Sequence, residues 1–107
     1  MSDFGDIVTR LAVTIASRKG ADPAGSYTAQ LLADPARADK KLGEEATETV
    51  IAALQQDDRA LAAESADLIY HWLVLLTASG VTLDAVAAKL EAREGRSGIE
   101  EKASRKG

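Results

Sequence analysis

Residues 64–76 read Glu64-Ser65-Ala66-Asp67-Leu68-Ile69-Tyr70-His71-Trp72-Leu73-Val74-Leu75-Leu76. Neither proline nor glycine interrupts them, and Gly80 follows at a spacing suited to closing a helix. The pattern predicts one helix from about residue 58 to residue 78. From Leu68 onward that helix is apolar on almost every side, so it needs cover all round. One short bundle cannot easily supply it. The stretch therefore predicts a homodimer with helices of both protomers packed together, a higher oligomer remaining open.

Outward from this helix the pattern stays helical. Phe4, Ile7, Val8, Leu11 and Ile15 recur at three- and four-residue spacing, which predicts a first helix ending near Ser17. Ser26 is an N-cap for a short helix carrying Leu31 and Leu32. A long helix follows Pro35 to about Gln55, with Leu42, Ala46, Thr49, Val50 and Ala53 as its expected core stripe. Thr82 caps a last helix with Leu83, Val86, Ala87 and Leu90. The fold class is all-α: a four- to five-helix bundle over residues 1–94, followed by a polar tail over 95–107.

Composition agrees. The chain has 107 residues, enough for one domain, and 46% are hydrophobic with only 4% aromatic. Alanine and leucine dominate, which favours helices. It has no cysteine, so thiolate zinc sites, disulfides and thiol nucleophiles are excluded. A cytoplasmic location fits that composition, and the first 20 residues lack the apolar core of a secretion signal. The apolar run is too short for a bilayer, so no membrane association is expected. A net charge of −4 argues against nucleic acid as a partner but not against a small phosphorylated substrate.

The chemistry sits in acids. Glu44, Glu45 and Glu48 lie on the long helix, Glu64 and Asp67 on the next. Residues three or four apart share a helical face, their Cβ atoms about 5–6 Å apart. Consecutive helices joined by a short turn pack antiparallel, which could bring the two acidic arcs face to face. Carboxylates gathered at a core edge repel one another, and a hard divalent cation such as Mg²⁺, or Mn²⁺ in its place, removes that conflict. Isolated acids on a helix are ordinarily a solvated face; two clusters on successive helices, both beside apolar stripes, bring the metal reading closer to it. A di-iron bundle would need two Glu-x-x-His motifs, and the chain has one histidine. No glycine-rich phosphate loop occurs, so phosphate binding falls to metal and to basic side chains: Lys41 first, then Lys40. His71, one turn beyond Asp67, is a candidate for holding a carboxylate or substrate from behind.

The words Ser26-Tyr27-Thr28-Ala29, Lys41-Leu42-Gly43-Glu44-Glu45-Ala46-Thr47-Glu48-Thr49, Glu64-Ser65-Ala66-Asp67-Leu68-Ile69-Tyr70-His71 and Gly80-Val81-Thr82-Leu83-Asp84-Ala85-Val86 resemble phosphoribosyl-ATP pyrophosphohydrolases. These belong to the all-α, MazG-like nucleoside triphosphate pyrophosphohydrolase superfamily. The resemblance covers roughly residues 5–94. It implies hydrolysis of phosphoribosyl-ATP to phosphoribosyl-AMP and pyrophosphate, the second step of histidine biosynthesis, with Mg²⁺. It implies metal-ligand roles for Glu45, Glu48, Glu64 and Asp67, and the family's helical dimer.

Glu44 or Glu48 is the candidate base toward the attacking water. The next step, phosphoribosyl-AMP cyclohydrolysis, uses zinc and cysteine, so it falls to a separate protein. Lys102 and Arg105 in the tail are candidates for closing over substrate phosphates. Two other readings stay open at this point: housekeeping cleavage of nucleoside triphosphates, and a non-catalytic helical dimerisation module.

Overall fold

The computed structural model describes residues 2–95. The tail candidates Lys102 and Arg105 lie outside them. Five helices and no strand occur among the described residues: α1 (Phe4–Ser17), α2 (Tyr27–Leu32), α3 (Pro35–Leu54), α4 (Asp58–Ser79) and α5 (Leu83–Ala92), with a 3₁₀ turn at Pro23–Gly25.

Each helix starts where its sequence supplies an acceptor for an otherwise unpaired N–H group. The side chains of Asp3, Ser26, Asp34, Asp57 and Thr82 accept from the backbone N–H three residues on. Pro35 adds its fixed φ at the first position of α3. Gly80 ends α4 at φ 73°, and Val81 N–H returns to the Leu76 carbonyl at 3.0 Å.

The end of α3 is less conventional. Gln56 sits at φ 56°, a left-handed conformation that costs an L-residue free energy. Asp57 N–H closes that turn on the Ala52 carbonyl and its side chain at once caps α4. Only residues 55–57 separate the two helices, so α3 and α4 fold back on each other and form the main packing pair of the chain.

The core gathers where α1, α2 and α3 meet α4. Ile15, Leu31, Leu73 and Val74 are fully buried, with Ala38 beside them. The stripe expected on α3 is displaced. Its buried residues are Ala38, Glu45 and Ala52, whereas Val50 is 58% exposed and Ala53 is also exposed. Leu42 and Ala46 are half-buried and line, with Leu68, Ile69 and Trp72, an apolar hollow of about 400 Å³. Val50 and Ala53 of α3 thus face outward, and of its acids Glu45 turns inward while Glu44 and Glu48 stay exposed. The apolar segment of α4 is covered over most of its circumference: His71, Leu73, Val74 and Leu76 are buried, and Leu68, Trp72 and Leu75, on the remaining side, only partly. No single helix among the described residues is long and apolar enough to cross a membrane.

Candidate functional site

The antiparallel crossing of α3 and α4 brings Glu45, Glu48 and Glu64 together. One carboxylate oxygen from each lies within 4.8 Å of the other two. Glu45 is 8% exposed, Glu64 half-buried and Glu48 open to solvent, so the cluster forms a cup with a buried floor and an accessible lip. Glu45 Oε2 and Glu64 Oε2 are both shut off from solvent and have no hydrogen-bond donor. Buried acceptors in that condition are costly, and a bound cation would satisfy both. The donor set is all carboxylate oxygen, which fits a hard divalent cation.

Electrostatics point the same way. The Glu64 carboxyl is pushed up from its ordinary range. The largest cause is hydrogen bonding with Glu48; burial follows, then the like charges of Glu48, Glu45 and Asp67. The fold has concentrated negative charge that solvent alone does not relieve.

Asp67, one turn beyond Glu64, is exposed and acts on Glu64 through its charge. Its backbone carbonyl accepts from His71 Nδ1 at 2.7 Å. That bond fixes the His71 tautomer, leaving Nε2 as acceptor for the Tyr27 hydroxyl at 3.2 Å. His71 is buried to 6% exposure and thereby ties the Asp67 turn of α4 to the start of α2. A second pair runs beside it, between the Thr28 hydroxyl and the Tyr70 hydroxyl. The Arg37 guanidinium stands 5.7 Å from the Tyr27 ring centroid.

Lys41 and Glu44 are engaged with each other. Lys41 Nζ lies 3.2 Å from Glu44 Oε2, and this hydrogen bond and charge hold the lysine above its usual range. Both side chains are substantially exposed, so the pair contributes little to stability and remains free to exchange partners. Lys40 is exposed on the neighbouring face.

Three features lay outside the reading of the residues. The Tyr27–His71 and Thr28–Tyr70 bonds join positions 44 and 42 residues apart, and spacing carries no signal for such a meeting. The Thr49 hydroxyl donates to the Glu45 carbonyl at 2.7 Å and also faces the Glu64 carbonyl of α4 at 3.3 Å. By its spacing Thr49 belongs to the apolar stripe, which carries no signal for this bond.

Fold and site together define an all-helical protein whose central antiparallel helix pair presents a cup of carboxylates suited to a divalent cation. Comparison with known proteins narrows that class. The sequence model of a family described as phosphoribosyl-ATP pyrophosphohydrolase matches residues 8–94. The chain is 73% identical over 100 residues to a phosphoribosyl-ATP pyrophosphatase of Caulobacter vibrioides (strain NA1000 / CB15N), covering 94% of each chain. It is 67% identical over 105 residues to one from Caulobacter sp. (strain K31), covering 98% of each. A third, from Methylobacterium radiotolerans, is 60% identical over 97 residues, covering 90% of this chain and 91% of the relative. The chain belongs to the phosphoribosyl-ATP pyrophosphohydrolase family.

Proposed function

We propose that the chain hydrolyses phosphoribosyl-ATP to phosphoribosyl-AMP and pyrophosphate, as the second step of histidine biosynthesis, and that Mg²⁺ bound at the α3–α4 crossing assists it. Family membership supports the reaction. The observation that carries the metal is the pair of buried, donor-less oxygens on Glu45 and Glu64 beside Glu48.

In this reading Glu45, Glu48 and Glu64 hold the cation, and Asp67 joins them from the next turn of α4. When bound, the cation would neutralise charge on the departing pyrophosphate and lower the pKa of an attacking water, and Mn²⁺ would serve the same purpose. Glu48, at the open lip, takes the proton of the attacking water, with Glu44 as the second candidate. Lys41 swings from Glu44 to a phosphate oxygen as the substrate arrives, and Lys40 adds positive charge nearby. His71 holds the Asp67 turn from behind through its bond to the Asp67 carbonyl. Residues 1–94 carry the activity.

The working form in this reading is a homodimer in the cytoplasm. The apolar hollow at Leu42, Ala46, Leu68, Ile69 and Trp72, continued by exposed Val50, Ile51 and Leu54, is the face the second copy covers. The product passes to a separate phosphoribosyl-AMP cyclohydrolase. Amide substitution tests the site: Glu48→Gln and Asp67→Asn are each expected to lower kcat/KM for phosphoribosyl-ATP by at least about 100-fold. Wild-type turnover in both variants would remove the metal-site assignment.

A further inference from the structure

The two acids that form the buried floor of the cup come from different helices, so something must set their separation. Side-chain packing between α3 and α4 sets their crossing only within a range of about 15–20°. A directed bond at the level of the acids does it more tightly. Thr49 is the polar side chain that makes one there.

Its hydroxyl lies one turn beyond Glu45 on α3 and donates to the Glu45 carbonyl at 2.7 Å. A threonine inside a helix often bonds back in this way. The unusual part is the second acceptor, the Glu64 carbonyl on α4, at 3.3 Å. One proton is therefore shared between the backbone carbonyls of the two residues that each bury one carboxylate oxygen without a donor. Thr49 is half-buried between the helices, where this shared bond is sheltered from water.

We propose that Thr49 is a positioning residue that sets the separation of the Glu45 and Glu64 carboxylates, and through it the affinity of the cup for a divalent cation. The inference rests on the metal-centre reading above. It assigns Thr49 no contact with substrate or cation.

The test is Mn²⁺ binding to the free protein, followed by electron paramagnetic resonance without substrate, in wild type, Thr49→Val and Thr49→Ser. Valine keeps the shape and removes the donor. Both carbonyls retain their own helical N–H partners, so the variant is expected to fold with a metal-free Tm close to wild type. The Mn²⁺ dissociation constant should rise about tenfold in Thr49→Val and return most of the way in Thr49→Ser. The Mg²⁺ concentration needed for half-maximal activity should rise in parallel, with kcat at saturating Mg²⁺ much less affected. Thr49→Ala, which adds no bulk, replaces the valine variant if that one is poorly folded, with the same expected loss. Saturable Mn²⁺ binding in wild type, matched by equal affinity in the variants lacking the hydroxyl, overturns the role of Thr49 and leaves the metal centre standing. No saturable Mn²⁺ binding in wild type overturns the metal centre, and the role of Thr49 with it.

Discussion

Glu45 on α3 and Glu64 on α4 place carboxylate oxygens within 4.8 Å of each other, and each buries an oxygen that has no hydrogen-bond donor. A metal-free protein gains nothing from this arrangement. Two acids are held together with one oxygen of each out of reach of solvent, and the fold bears the cost until a cation or a proton arrives.

The cost has a pH signature. Glu64 starts from an ordinary value of 4.5 and is raised in the fold, first by hydrogen bonding with Glu48, then by burial and the neighbouring acids. A carboxyl raised on folding leaves stability intact below its unfolded value and removes it as pH climbs through the folded value. Glu64→Gln takes that ionisation away. In the metal-free protein its Tm should exceed that of wild type by a margin that widens from pH 4 to pH 7. Added Mg²⁺ should raise the wild-type Tm at pH 7 and raise that of the variant far less. Differential scanning calorimetry with and without chelator reads both effects.

Tyr27→Phe removes the donor to His71 Nε2 and leaves a buried ring nitrogen unpaired. The expected loss is about 1–3 kcal/mol in urea unfolding, and a variant as stable as wild type would show that the bond contributes nothing. Because His71 also holds the Asp67 carbonyl, the same variant should bind divalent cation more weakly.

Much of the fold is legible in the residues because the signals are local. Asp34 before Pro35, Thr82 before Leu83 and Gly80 after Ser79 each mark a helix end with side-chain or backbone chemistry of their own. The acidic cup is legible too, since Glu45 and Glu48 share a face of one helix and a three-residue link returns the chain antiparallel. Which side of α3 turns inward is not. Apolar Val50 and Ala53 suggested one face, and the buried positions are Ala38, Glu45 and Ala52. Apolar periodicity reports burial of either kind, inside the chain or against a second copy. Contacts such as Tyr27–His71 depend on where α2 docks, and no local pattern encodes that.

Gln56 shows the same limit at a turn. A left-handed residue at a helix end is most often glycine, and here glutamine takes the position at φ 56°. Gln56→Gly relieves that strain, partly offset by the greater freedom of glycine in the unfolded chain. A gain of about 0.5–1 kcal/mol is expected by denaturant titration, and a loss would show that the glutamine side chain contributes to the turn.

The outward apolar face of α3 carries its own test. Leu54 is 78% exposed and Val50 58%, so Val50→Asp with Leu54→Asp should leave the single chain folded. Sedimentation velocity should then report a homodimer for wild type and a monomer for the double variant. A monomeric wild type, or a variant that dimerises unchanged, removes this face as the dimer interface.

The central claim is a metal-assisted cut of one particular nucleotide, and pyrophosphate release tests it most directly. Phosphoribosyl-ATP and a panel of ordinary nucleoside triphosphates are supplied to the purified protein, with Mg²⁺ and with chelator. Rapid release from phosphoribosyl-ATP, at least about 100-fold faster than from the triphosphates and abolished by chelator, is the predicted result. Equal rates on all substrates, or release undiminished by chelator, would contradict it.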